Sequence, residues 1–264
     1  MADLIESLDN GVMSLVMNRP ERKNALSGEM LGALNAALQR AALDPQVRCV
    51  LLTGAGGAFC AGGDVKGFAA GGGAGGGLPM DQRAASLRQS MEASRLLHEM
   101  PKPTIAAIEG ATAGAGLSLA MACDLRICGE NAKITTAFAK VGLSGDFGGT
   151  YFLSQLAGPA KARELYLLSP VLSGTEAARL NIVSRVVPDG TALDEARALA
   201  RQLADGPTVT YGLIKKNFVA AEAGTLKAAF DAEAMHHSLA SATEDHKEAS
   251  KAFVEKRKPA FKGR

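Results

Sequence analysis

Short apolar stretches flank Asp9-Asn10-Gly11 in "LIESLDNGVMSLVMN", which predicts two strands joined as a hairpin. Residues 28–43, "GEMLGALNAALQRAAL", carry apolar side chains at helical spacing, with Ser27 placed to cap the helix. "VRCVLLTG" is a continuous apolar run closed by glycine, the pattern of a strand buried on both faces of a parallel sheet. A helix is expected from Asp81 to Glu99, and "PKPTIAAIEG" restarts a strand after two prolines. "ATAGAGLSLAMACD" reads as a tight turn feeding a helix of small residues, and "LRICG" as the next strand. From about residue 149 helical periodicity dominates, over 149–157, 159–168, 175–181, 191–204, 207–222, 225–241 and 243–256, broken only by the short strand "IVSRVVP". Strands alternating with helices and then giving way to helices predict an α/β layered core with a helical C-terminal region. The division is expected at 1–200 for the core and 201–264 for the helices.

Composition narrows what such a chain can do. At 264 residues with 47% hydrophobic and 21% charged, it can bury a sizeable core and is not a disordered chain. A net charge of +2 and the absence of tryptophan argue against nucleic-acid binding. No apolar run approaches the roughly 18 residues that a membrane span requires. Cys49, Cys60, Cys123 and Cys128 form no C-x-x-C pair, and "MADLIESLDN" has no leader pattern, so buried reduced thiols and a cytoplasmic location are expected. The four histidines have no ligand spacing beyond the adjacent 236/237 pair, so no metal is expected.

Three glycine-rich stretches invite functional readings. "AAGGGAGGGLP", at 69–79, lacks the Gly-Lys-Ser/Thr ending of a phosphate loop and is expected to be a mobile surface loop. "FCAGGDVKGF" and "EGATAGAGLSLAMACD" each put small residues between an apolar strand and a helix. Backbone N–H groups exposed on two such turns could form an oxyanion hole, or the glycines could only permit close packing. Between Val141 and Ala160 the one charged side chain is Asp146, in "GLSGDFGGTYF". Turn chemistry makes it a candidate Asx-turn or N-cap of the 149–157 helix, and apolar surroundings make it a candidate base. Glu109 is a competing base or a structural hydrogen-bonding acid, and Asp124 is expected to be a structural turn acid.

The order of these motifs resembles the enoyl-CoA hydratase/isomerase (crotonase) superfamily. "AFCAGGDVKGF", "KPTIAAIEGATAGAGLSLAMACDLRIC", "FAKVGLSGDFGGTYFLSQLAGPAKARELYLLS", "LSGTEAARLNIVSRVVP" and "KAFVEKRKPAFK" carry the likeness over essentially the whole chain. The resemblance implies the crotonase (ClpP-like) α/β fold: a repeated β-β-α spiral with a C-terminal helical region that mediates trimers, often stacked as hexamers. It implies an acyl-CoA thioester substrate, no prosthetic group, and oxyanion donors at Gly63 and Ala115. It further places coenzyme A near Arg22, Ala61, Asp64, Lys66, Phe261 and Lys262, the last reaching a neighbouring subunit's cofactor. Asp64 is otherwise expected only to shape its turn.

Hydratases of this family split water with two glutamates, one six residues before the "CD" aspartate and one fourteen beyond it. Those positions are Ser118 and Phe138 here, and neither takes up a proton near neutral pH. In the isomerase-like branches, phenylacetyl-CoA ring-epoxide isomerases included, a single acid sits in a segment that "GLSGDFGGT" matches. The resemblance therefore implies Asp146 as proton shuttle, desolvated by Phe138, Leu143 and Phe147. Ser118 then either packs or touches substrate. The alternatives are a hydratase that uses Asp146 with a second acid, and a non-catalytic acyl-CoA-binding subunit.

Overall fold

The computed structural model describes residues 2–64 and 77–264. Most of the 69–79 glycine tract, and Lys66, lie outside the described residues. Strands β1 (Leu4–Asp9) and β2 (Val12–Met17) form the expected antiparallel hairpin. Asn10 and Gly11, at φ 48° and 82°, supply the two left-handed residues of a tight hairpin turn. Then follow β3 (Cys49–Gly54), β4 (Thr104–Ile108), β5 (Ala111–Ala113), β6 (Leu125–Gly129), β7 (Lys133–Thr135) and β8 (Arg185–Val187). The main sheet runs β1-β2-β3-β4-β6-β8, with every pairing after the hairpin parallel.

Both faces of this sheet are covered, which is why β3 and β4 read as unbroken apolar runs. The helices are α1 (Gly28–Leu43), α2 (Met80–Ser90), α3 (Glu92–Glu99), α4 (Ala115–Ala122), α5 (Gly149–Ala157), α6 (Pro159–Leu168), α7 (Gly174–Arg179), α8 (Ala192–Ala204), α9 (Thr208–Ala223), α10 (Leu226–Ser241) and α11 (Glu244–Val254). Val50, Leu52, Ala106 and Ile108 point to the face packed by α1, α3 and α4. Cys49, Leu51, Ile105 and Ala107 point to the other, where Ala192, Ala196, Ala200 and Ala204 of α8 make a smooth stripe that lies close on the sheet.

A second, smaller layer explains the spiral. Strands β5 and β7 pair in parallel, and single bridges Leu26–Gly63, Cys60–Thr112 and Ile134–Leu172 extend them. Each turn of chain thus gives one strand to the large sheet, a short one to the small layer, and then a helix. Two expectations need correction. The 81–99 helix breaks at Met91, because α2 buries no residue while α3 turns Ala93, Ser94 and Leu97 into the core. Strands β5 and β7, three residues each, are too short for a period-two pattern to show. All four cysteines are free and buried, and burial pushes each thiol up to about 12. Among the described residues no helix is long and apolar enough to cross a membrane, and no three His, Cys, Asp or Glu side chains cluster as metal ligands.

Candidate active site

The two glycine turns meet at the level of the backbone. Cys60 N–H donates to Ala111 O at 3.1 Å, and Ala113 N–H donates back to Cys60 O at 2.9 Å. A Cβ on Gly62, which sits at φ 89°, would stand 2.8 Å from Ala113 O and 3.5 Å from Ala115 N. A Cβ on Gly116 would collide with Cys60 O, so glycine there is what lets α4 touch the first turn. Leu26 N–H donates to Gly62 O at 2.8 Å, and a parallel bridge of this kind uses the groups flanking Gly63. Gly63's own N–H is therefore directed away from Leu26. Ala115 opens α4, where N–H groups have no partner within the helix. Gly114 before it, at φ 52° and ψ −125°, takes a conformation that only glycine adopts readily. The two expected donors thus lie on adjoining turns.

Asp146 lies in a contorted loop. Gly145, Phe147 and Gly148 have φ of 114°, 51° and 74°, so a bulky residue sits in the left-handed region beside the acid. Such a residue costs roughly 1–3 kcal/mol and persists only where its surroundings enforce it. Helix α5 is capped by Gly148 with no side-chain hydrogen bond, which removes the N-cap role for Asp146. Its backbone carbonyl accepts from Gly149 N–H at 3.1 Å, while side-chain Oδ1 is buried and has no hydrogen-bond partner. Burial pushes the carboxyl up to about 6. Of the three apolar neighbours expected, Phe138 and Phe147 are buried, whereas Leu143 is 51% exposed.

One residue escapes sequence reasoning. Tyr166, on α6, stacks on Phe138 with ring centroids 5.8 Å apart and planes at 9°. Its hydroxyl is buried without a well-formed hydrogen bond, and it converges with Ser118 Oγ on Gly149. Burial pushes the phenol up to about 12, opposed by the adjacent Ser118 hydroxyl and helped by the charge of Asp146. Nothing in "ELYLLS" marks this tyrosine, because its position depends on α6 folding back against α5 and the turn that carries Phe138. Ser118 is buried, and its Oγ donates to Gly114 O at 3.3 Å, which fits the packing role.

The remaining acids are structural. Glu109 Oε1 accepts from Gly190 N–H and Ala192 N–H, each at 3.0 Å, and so caps α8. Asp124 Oδ2 accepts from Thr104 N–H at 2.7 Å and from Lys215 Nζ at 2.8 Å, tying α9 to the sheet. Around the first turn, Ala61 N–H donates to Lys23 O at 2.9 Å, and Arg22 pairs with Asp64 at 2.9 Å. Arg22, Ala61, Gly63 and Asp64 are therefore together. Phe261 and Lys262 are not with them. Asp245 accepts from Lys262 N–H at 2.7 Å and Gly263 N–H at 2.8 Å, and Gly263 lies against Arg48 and Thr208. Arg48 precedes β3, at the end opposite the turn that carries Gly63.

A family profile described as enoyl-CoA hydratase/isomerase matches residues 7–264. The chain is 39% identical to the 1,2-epoxyphenylacetyl-CoA isomerase of Escherichia coli K12, over the whole of both chains. It is 36% identical to a probable enoyl-CoA hydratase of Rhodobacter capsulatus, covering 97% of this chain and 96% of that one. The crystal structure of a putative enoyl-CoA hydratase from Streptomyces coelicolor A3(2) superposes with a TM-score of 0.93 at 33% identity, covering 99% of this chain and 94% of the other. An enoyl-CoA hydratase from Polaromonas sp. JS666 superposes at 0.91 with 32% identity, covering 98% and 99%. The chain has the crotonase fold and belongs to the enoyl-CoA hydratase/isomerase family.

Proposed function

We propose that the protein isomerises an acyl-CoA thioester, moving a double bond or rearranging a related ring, through an enolate of the thioester. Asp146 takes a proton from the carbon beside the thioester and returns it to another carbon of the same acyl group. The thioester oxygen gains negative charge in between and accepts hydrogen bonds from Gly63 N–H and Ala115 N–H. Each donor contributes roughly 3–4 kcal/mol to the charged transition state. Desolvation makes the Asp146 carboxylate a stronger base than an exposed aspartate, and its lack of fixed hydrogen bonds lets it receive a proton.

That half-buried carboxylate, with Oδ1 buried and unpartnered, carries the reading, because Ser118 and Phe138 stand where a hydratase of the family keeps its glutamates. The names of several relatives favour the other reading, hydration of a 2-enoyl-CoA. It needs a second acid beside Asp146, and Glu109 is committed to capping α8. Turnover separates the two. Asp146→Asn should lower isomerisation by about 10²- to 10⁴-fold with CoA binding nearly intact. Unchanged turnover in that variant overturns the assignment, and wild-type incorporation of oxygen from ¹⁸O-labelled water into a 3-hydroxyacyl-CoA supports hydration.

Coenzyme A is assigned to Arg22, Ala61, Asp64 and Lys66, with Asp64 holding the Arg22 guanidinium so that its other N–H groups face a phosphate. The clip at Asp245 keeps Phe261 and Lys262 away from this cluster in their own chain. Their part in binding belongs to a neighbouring subunit, in a trimer or a dimer of trimers.

A further inference from the structure

The peptide that joins Gly114 to Ala115 is engaged on its oxygen side by one residue, Ser118. That oxygen accepts from Ser118 N–H at 3.0 Å and from Ser118 Oγ at 3.3 Å. The N–H of the same peptide belongs to Ala115 and is the donor assigned above to the thioester oxygen. The C=O and N–H of a trans peptide are antiparallel and share one resonance system. A donor on the oxygen therefore draws electron density from the nitrogen and strengthens its N–H as a donor. Ser118 Oγ gives its single hydrogen to Gly114 O and keeps its lone pairs to accept with. Tyr166 Oη stands beside it, buried and short of a fully formed hydrogen bond. A phenol pushed up to about 12 stays protonated at neutral pH, so of the two hydroxyls it is the one that donates. A Cβ on Gly149 would collide with both hydroxyls, so the bare backbone at the start of α5 leaves them room. Phe138 holds the phenol ring in a near-parallel stack and itself packs on the Gly114 turn.

We propose that Ser118 and Tyr166 are positioning residues that polarise the Gly114–Ala115 peptide and so strengthen Ala115 N–H as an oxyanion donor. The chain runs from Tyr166 Oη–H to Ser118 Oγ, from Ser118 Oγ–H to Gly114 O, and from Ala115 N–H to the thioester oxygen. The inference rests on the enolate reading above, in which Ala115 N–H meets the developing charge. No proton changes owner along the chain. Each hydroxyl directs its dipole toward the charge, and each bond strengthens as the oxygen it serves becomes more negative. The effect is therefore larger in the transition state than in the ground state, which is the form that raises kcat. It also gives the two positions without glutamates one shared task. Ser118 carries the polarising hydroxyl, and Phe138 is the plate on which the next donor in the chain rests. Asp146 Oδ1 bonds to neither hydroxyl and stays outside the chain, free to take the substrate's proton.

The test reads the bound thioester carbonyl directly, by infrared difference spectra of a saturated acyl-CoA with and without ¹³C at that carbonyl. Binding to wild type should move the carbonyl stretch to lower wavenumber. Ser118→Ala should give back about 10–30% of that shift, and Tyr166→Phe a smaller part in the same direction. Adding Tyr166→Phe to Ser118→Ala should change nothing further, because the phenol acts only through that hydroxyl. Turnover should follow the spectra, with kcat about 2- to 8-fold lower in Ser118→Ala and KM within about twofold of wild type. A full wild-type shift in Ser118→Ala overturns the proposal whatever its melting temperature, because the hydroxyl then only packs α4. Additive losses in the double variant overturn it as well, since the two hydroxyls then act separately. Failure of the enolate reading looks different, and this inference falls with it: the stretch stays in place even when wild type binds the thioester.

Discussion

Asp146 pays twice for its position, once in the strained backbone around Phe147 and once in a desolvated carboxyl. Both costs have measurable consequences. The base works only when ionised, so kcat/KM should rise with pH through an apparent pKa of about 6 and then level off. A profile flat from pH 5 to 8 contradicts the assignment. The effect on stability runs the opposite way. The folded carboxyl, at about 6, holds its proton more tightly than the unfolded one at 3.8, so ionisation weakens the fold as pH rises through that window. The neutral isostere Asp146→Asn should therefore be more stable than wild type at pH 8, by about 1–2 kcal/mol after allowing for the partial exposure of the acid, and equal to it near pH 3. Thermal melts at the two pH values decide it. Asp146 was legible in the sequence because a single charge among glycines and apolar residues is anomalous. Tyr166 was not, since one aromatic residue on an amphipathic helix announces nothing about the chain it will face.

At the scale of elements, the site depends on the contact between the turn at Gly62 and the start of α4. Gly116 is the residue that permits it, so Gly116→Ala should destabilise the fold by about 1–3 kcal/mol, as overpacking does, and lower turnover by pushing Ala115 away from Gly63. Denaturation and kinetics on the same preparation test both effects, and a fully active, fully stable variant contradicts this role. The long elements were readable, because β3, β4 and the C-terminal helices carry their periods over enough residues. The helix bounds move by one or two residues at most, with α11 ending at Val254 where the pattern ran to 256. What periodicity cannot show is pairing. Strands β5 and β7, and the bridges that join 26 to 63 and 60 to 112, exist only because distant turns of the spiral stack.

For the whole molecule, the arrangement of the tail is the informative feature. Lys262 is clipped to Asp245 at the far end of the sheet from Arg22, so the coenzyme A site proposed above needs a second copy to supply it. Phe218, Phe230, Met235 and Leu239 lie exposed along α9 and α10, consistent with burial against another copy. Light scattering should accordingly give a trimer or hexamer, and Lys262→Ala should weaken CoA-ester binding several-fold without changing that mass. A monomer that binds CoA esters at full strength contradicts the shared site. The central claim concerns the proton, and it is tested most directly by exchange at the carbon beside the thioester in deuterium oxide. Wild type should incorporate deuterium into a bound enoyl-CoA, and Asp146→Asn should do so at least about 10²-fold more slowly while still binding CoA. Equal exchange by the two proteins would contradict the account.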